Sequence, residues 1–88
     1  MTRRRVVVRG RVQGVFFRDT VRRRAREEGV AGWIRNRSDG SVEAVFEGDA
    51  GAVTRLVDLC RSGPPGAGVE EVEVFDETPE GLDGFAIG

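Results

Sequence analysis

Residues 10–18, Gly-Arg-Val-Gln-Gly-Val-Phe-Phe-Arg, join a β-type run to the start of a helix through a turn bracketed by two glycines. Gly10 and Gly14 permit positive φ angles and close approach of the backbone, so consecutive amide N–H groups can converge on one point. The helix that follows adds the positive end of its dipole. Because Arg18 is unfavourable beside that dipole unless an anion lies between them, the stretch predicts an anion-binding loop.

The segments around this loop alternate between strand and helix patterns. Residues 4–11 form a β-branched run, and residues 17–28 repeat apolar side chains at helical spacing. Residues 31–37 and 41–47 are two further β-type runs. Between them, Ser38-Asp39-Gly40 is typical of a tight turn, because Asp-Gly tolerates positive φ. These two runs are therefore predicted to pair as an antiparallel hairpin.

A second helix and a fourth strand are predicted after the hairpin. Asp49 can cap the helix, and residues 62–66, Ser-Gly-Pro-Pro-Gly, end it. Its apolar stripe consists of Val53, Leu56, Val57 and Cys60. Residues 69–75 form the fourth strand, and residues 85–87 are a short apolar run that can add a fifth. The order β-α-β-β-α-β indicates the α+β class and a ferredoxin-like split β-α-β sandwich, with two helices on one face of an antiparallel sheet.

Length and composition limit the chemistry that the chain can perform. Eighty-eight residues make a single domain, residues 1–88, with one core. The sequence has no His and no Tyr, which excludes histidine general-base catalysis, Ser-His-Asp triads and His-based metal sites. The lone Cys60 cannot form an internal disulfide, and no apolar segment of membrane-spanning length appears. A soluble cytoplasmic protein is expected.

The net charge of −1 conceals an asymmetry between the two halves of the chain. Residues 1–44 carry 12 Arg and 5 acidic residues, whereas residues 45–88 carry 2 Arg and 10 acidic residues. Either a basic surface receives an anionic ligand, or the two halves lie side by side and neutralise each other. Charge alone leaves both interpretations open.

Two blocks of the sequence resemble the acylphosphatases, small enzymes that hydrolyse the carboxyl–phosphate bond of acyl phosphates. Residues 8–18, Val-Arg-Gly-Arg-Val-Gln-Gly-Val-Phe-Phe-Arg, form the first; residues 31–36, Ala-Gly-Trp-Ile-Arg-Asn, with 39–43, Asp-Gly-Ser-Val-Glu, form the second. The blocks agree in residue type, order and separation, and the similarity extends over nearly the whole chain. It departs at residues 85–88, Phe-Ala-Ile-Gly, where family members often have a basic and an aromatic residue after the last strand.

The resemblance implies roles for particular residues. Arg18 matches the substrate-binding arginine of the family, and Asn36 matches its water-orienting asparagine. The phosphate-binding backbone amides are those of Arg11, Val12, Gln13, Gly14, Val15, Phe16 and Phe17. An acyl phosphate has a good carboxylate leaving group, so positioning and charge stabilisation suffice for direct attack by water.

The partners implied by the resemblance are small molecules. The substrate is an acyl phosphate and inorganic phosphate is a product, with no metal and no organic cofactor. The protein is expected to act as a monomer and to bind neither nucleic acid nor membrane. No residue of the sequence indicates which acyl group is the physiological one.

Structural roles for the same residues also remain open. Arg18 can be a solvated residue on an Arg-rich helix, and Asn36 can be a strand-end residue that satisfies the adjacent turn. Gln13 is assigned only its backbone amide, because a loop-stabilising bond explains its side chain equally well. Trp33 and Cys60 are predicted to serve packing rather than a site.

Two non-enzymatic functions remain as alternatives. The ferredoxin-like sheet is also the scaffold of RNA-binding modules, although the strand aromatics that such modules need for stacking are missing here. The chain can also be a catalytically silent anion-binding or carbamoyl-transfer accessory domain, like the acylphosphatase-like segments of larger maturation factors.

Overall fold

Five strands and two helices alternate along the chain in the computed structural model, which describes residues 1–88. The strands are β1 (Thr2–Arg11), β2 (Ala31–Asn36), β3 (Val42–Gly48), β4 (Gly68–Glu77) and β5 (Phe85–Ile87). The helices are α1 (Phe17–Glu27) and α2 (Ala50–Ser62). The predicted β-α-β-β-α-β order and the short fifth strand are confirmed.

The strands form one sheet in the order β4-β1-β3-β2-β5. The first four strands are antiparallel neighbours, whereas β5 adds to the edge of β2 in parallel, so the complete sheet is mixed. Because β1 and β2 both run antiparallel to β3, they point the same way, and their C-terminal ends lie at the same end of the sheet. The loop that leaves β1 and the last residue of β2 are thereby brought to one place.

The core lies between one face of the sheet and the two helices. Alternation along β1 directs Val6 and Val8 toward the helices and Val7 to the opposite face. The apolar stripes of both helices are buried there: Phe17, Val21 and Ala25 from α1, and Ala52, Val53, Leu56, Val57 and Cys60 from α2. Burial raises the pKa of the Cys60 thiol to about 12, which agrees with an inert core residue. Neither helix has the length and apolar composition needed to cross a bilayer.

The opposite face of the sheet is covered by ion pairs. Arg3 lies 2.8 Å from Glu47 and 2.9 Å from Glu77, and Arg5 lies 2.9 Å from Glu77. Along the whole chain, 10 of the 14 arginines lie within 4.0 Å of a carboxylate. The charge asymmetry of the sequence is therefore largely neutralised inside one domain, because arginines of β1 lie between acidic residues of β3 and β4.

Trp33 belongs to this second face and not to the helix-side core. Its neighbours Gly32 and Ile34 are buried, and strand alternation turns Trp33 the other way, where it is half-buried. The guanidinium of Arg35 lies 5.5 Å from its ring centroid. The ring therefore packs against a surface arginine on a strand, and not in the core or a loop.

Candidate active site

Unusual backbone conformations occur just before the loop of residues 12–16, within it and at its last residue. Gly10 has φ 122° beside a bulge in the pairing of β1 with β4, and a Cβ there would lie 2.2 Å from the carbonyl oxygen of Gly68. Gly14 has φ 73°, and Phe16, the residue before α1, has φ 60° and ψ 24°. Phe16 is the one non-glycine residue with a positive φ. These angles turn the chain sharply from the strand into the helix.

This turn leaves a run of backbone donors without acceptors in the protein. The first backbone hydrogen bond of α1 runs from the amide of Thr20 to the carbonyl of Phe16 at 3.0 Å, and no side chain caps the helix. The amides of residues 12–17 donate to no other group of the chain. Arg11, the other predicted donor, is the last residue of β1 and lies opposite Gly68. Consecutive free amides at a helix N-terminus form a ready anion-binding site.

Arg18 is the second residue of α1 and lies beside this loop. It is half-buried and has no carboxylate within 4.0 Å, although Asp19 follows it directly. Asp19 pairs instead with Arg22, at 3.2 Å. Arg18 thus presents a positive charge without an internal partner next to the free amides, which is the arrangement that binds an anion.

Asn36 is the last residue of β2. Strand register aligns Val8 of β1, Val42 of β3 and Asn36 in one row, so the end of β2 lies close to the loop. The Oδ1 atom of Asn36 is buried and has no hydrogen-bond partner, and it is the only such side-chain atom in the chain. Since buried polar atoms are nearly always hydrogen-bonded, this acceptor indicates a bound water or ligand group.

The turn after β2 is satisfied without Asn36. Asp39 accepts hydrogen bonds from the hydroxyl and the amide of Ser41, and these bonds hold the pKa of Asp39 at about 2. The side-chain amide of Gln13 donates to the carbonyls of Arg37 at 2.8 Å and Ser41 at 2.9 Å. The structural alternative for Asn36 is therefore not supported, whereas the side chain of Gln13 ties the loop to the hairpin.

These elements line one pocket of about 410 Å³. The loop contributes Gly14 and Phe16, α1 contributes Arg18, and β2 contributes Asn36. Ile87 of β5 also lines the pocket, a position that the sequence did not reveal. The structure places it there because β5 pairs with β2 in parallel, with Ile87 opposite Ile34. The only signal in the sequence was the short apolar run itself.

A buried carboxylate holds the segment that leads into β5. Glu47 accepts hydrogen bonds from the amides of Glu80, Gly81 and Leu82 at 2.8, 3.1 and 3.0 Å, and from Arg3 at 2.8 Å. The bonds from the Glu80 amide and its neighbours hold the pKa of Glu47 at about 2 despite its burial. The last strand, and with it Ile87, is anchored from the far end of the sheet.

Comparison with known proteins finds relatives along almost the entire chain. Residues 4–87 match the family model described as Acylphosphatase. The chain is 63% identical over 84 residues to the acylphosphatase of Rubrobacter xylanophilus, covering 94% of this chain and 76% of that protein. It is 56% identical over 85 residues to the acylphosphatase of Gloeobacter violaceus, covering 97% and 91%.

A solved structure shows the same similarity in three dimensions. The crystal structure of acylphosphatase from Bacillus subtilis superposes with a TM-score of 0.95 at 38% identity. The match covers 100% of this chain and 99% of that one.

Proposed function

The chain belongs to the acylphosphatase family, and we propose that its pocket hydrolyses acyl phosphates by direct attack of water, with the phosphoryl group held by Arg18 and the loop amides. The reaction breaks the carboxyl–phosphate bond and yields a carboxylate and inorganic phosphate. The observation that carries the proposed site is that one pocket is lined by three kinds of unsatisfied group. These are residues of the 12–17 stretch, whose amides have no acceptor, Arg18, which has no carboxylate partner, and Asn36, whose Oδ1 has no hydrogen-bond partner.

Substrate binding rests on charge and on the fixed backbone. Arg18 donates up to two parallel hydrogen bonds to phosphoryl oxygens, each contributing about 1.5–3 kcal/mol. The loop amides and the N-terminus of α1 surround the remaining oxygens. These donors are already oriented before the substrate arrives, so they stabilise the charge of the transition state without reorganisation.

The chemical step needs only an oriented water. Oδ1 of Asn36 accepts a hydrogen bond from a water that lies in line with phosphorus. The water oxygen bonds to phosphorus, the bond from phosphorus to the carboxyl oxygen breaks, and its electron pair leaves with the carboxylate. The proton lost by the water passes to phosphate or to solvent. A carboxylate is a stable leaving group at neutral pH, so no general acid is required.

The proposal extends to the setting in which the protein acts. We propose a cytoplasmic monomer that uses small acyl phosphates and binds neither nucleic acid nor membrane. Against RNA binding, the central strands carry Val7 and Val45, between ion pairs, on the face of the sheet opposite the helices, where a stacking platform would need aromatic side chains. The aromatic rings of that face, Trp33 and Phe75, lie on the neighbouring strands β2 and β4, and each has a guanidinium over it.

The experiment that tests the site measures hydrolysis of benzoyl phosphate by Arg18→Ala and Asn36→Ala. Loss of one preorganised donor or positioning group is expected to lower kcat/KM by about 10²–10³. Arg23→Ala is the matched control, since Arg23 lies on the same helix, also has no carboxylate within 4.0 Å, and does not line the pocket.

Inorganic phosphate separates the two roles. Competitive inhibition by phosphate is expected to weaken in Arg18→Ala and to persist in Asn36→Ala, because, of these two side chains, only that of Arg18 contacts the phosphoryl oxygens. Wild-type turnover in either variant, with unfolding curves that show it to be folded, removes that residue from the mechanism.

A further inference from the structure

Phe16 combines an unfavourable backbone conformation with an exposed aromatic ring. Its φ of 60° lies in a region that L-residues other than Asn and Asp rarely enter. Its side chain is 76% exposed, whereas Phe75, the other exposed phenylalanine, is 37% exposed and has the guanidinium of Arg5 over its ring at 4.3 Å. A glycine would adopt this φ with less strain, and a polar side chain would expose less apolar surface to water.

The fold does not explain this ring. Phe16 is not among the residues that form the hydrophobic core or pack against it. It makes no side-chain cap to α1, because the helix has none. A strained residue that contributes nothing to packing is a reason to look for a role in binding.

The position of Phe16 in the pocket indicates which part of a substrate it can meet. The donors, Arg18 and the loop amides, are suited to the phosphoryl group. The apolar lining consists of Val12, Phe16, Phe17 and Ile87. Val12 and Phe17 are themselves buried in the core, so Phe16 and the half-buried Ile87 are the apolar side chains left accessible to a ligand.

We propose that Phe16, together with Ile87, contacts the acyl group and makes the enzyme prefer acyl phosphates with an aromatic or extended aliphatic acyl group over acetyl phosphate. Such a group buries apolar surface against the Phe16 ring, which a methyl group cannot do to the same extent. The inference rests on the proposed function, because the acyl group reaches Phe16 only when the phosphoryl group is held at Arg18.

The test compares kcat/KM for benzoyl phosphate and for acetyl phosphate in the wild type and in Phe16→Ala. The ratio of the two values is expected to fall by about 5- to 10-fold in Phe16→Ala, because alanine leaves the larger acyl group exposed to water. Phe16→Leu is expected to fall in between, and Ile87→Ala to lower the ratio in the same direction. Phe75→Ala is the matched control and is expected to leave the ratio unchanged, since the Phe75 ring lies on the face of the sheet opposite the helices and does not line the pocket.

Three results would overturn the assignment. One is a ratio that stays within about twofold of the wild type in Phe16→Ala. Another is an equal fall for both substrates. The third is a matching loss of inhibition by inorganic phosphate, which carries no acyl group and so reports on the loop alone. The proposed function fails by a different result, full activity of Arg18→Ala on both substrates.

Discussion

Two clusters of backbone amides in this molecule differ in whether the chain supplies a hydrogen-bond acceptor for them. The amides of Glu80, Gly81 and Leu82 all donate to the carboxylate of Glu47, which the chain itself supplies. The amides of residues 12–17 have no acceptor in the chain. In the first cluster the chain itself supplies the acceptor, whereas in the second the N–H groups have none.

The charges around the two clusters complete the contrast. The Glu47 carboxylate is 1% exposed and is balanced by Arg3 at 2.8 Å. In the loop the fixed charge is positive, from Arg18, and no carboxylate neutralises it. Around Glu47 the chain provides both the anion and the cation. Around the pocket, Arg18 has no carboxylate within 4.0 Å, and the one acidic residue of the lining, Asp19, pairs with Arg22 at 3.2 Å. Under the proposed function, the anion that Arg18 binds is the phosphoryl group of the substrate.

Removing the Glu47 carboxylate is expected to have the largest effect on stability. Glu47→Ala leaves three amides at the sheet end without their acceptor and leaves Arg3 with Glu77 as its remaining hydrogen-bond partner. Breaking a buried pair in this way costs about 3–5 kcal/mol of the free energy of unfolding. Urea denaturation measures the loss. Glu70→Ala is the control, because Glu70 is exposed on β4 and forms no ion pair. A Glu47→Ala protein as stable as Glu70→Ala would show that the internal carboxylate does not hold the fold.

Binding of inorganic phosphate at the amides of residues 12–17 is expected to have the next largest effect on stability. Inorganic phosphate at 100 times its Kd should raise the free energy of unfolding by about 2.7 kcal/mol, because it binds only the folded protein. Thermal unfolding with increasing phosphate measures this, with chloride at equal ionic strength as the control. The gain should vanish in Arg18→Ala. An equal gain in that variant would mean that phosphate acts elsewhere on the molecule.

Protonation of Glu47 is expected to have a smaller effect on stability, with a definite sign. The folded-state pKa of Glu47 is lowered from 4.5 to about 2, so its carboxylate stabilises the fold above about pH 4.5. That contribution is lost as the pH falls from about 4.5 toward 2. The stability difference between the wild type and Glu47→Gln should therefore shrink over this range. Asp39, whose pKa is also lowered, is present in both proteins and cancels. A difference that is constant with pH would contradict the assignment.

The two helix N-termini repeat the comparison on a smaller scale. Asp49 caps α2 by accepting from the amide of Ala52 at 3.2 Å, whereas α1 has no side-chain cap. Asp49→Ala is expected to lower the free energy of unfolding by about 1 kcal/mol and to leave hydrolysis unchanged. Asp58→Ala, an exposed acid of the same helix, is the control for charge. Loss of activity in folded Asp49→Ala would mean that the two helix ends are not independent.

Most of the local structure was predictable because its causes are local. The valines of β1, the Asp-Gly turn and the Asp49 cap each depend on residues within a few positions of one another. The turn between β1 and α1, with its free amides, was predictable for the same reason, since its glycines, its amides and Arg18 are contiguous. The role of Asn36 was not decided by its neighbours, because a turn and a pocket make equal use of an asparagine there. The pocket assignment became the better supported one when the turn proved to be satisfied by Asp39 and Gln13.

The amino-acid sequence by itself determined the order of the elements, the glycine-bracketed loop and the absence of histidine chemistry, since these follow from residue types and short spacings. Only the tertiary structure decided that Asn36 and Ile87 reach the same pocket, that Glu47 is buried under its own chain, and that Phe16 is left in water. The first two depend on contacts between segments that are far apart in the chain, and strand register is set by packing of the whole sheet. The exposure of Phe16 depends on how the loop between β1 and α1 leaves the sheet, with φ 60° at Phe16 itself.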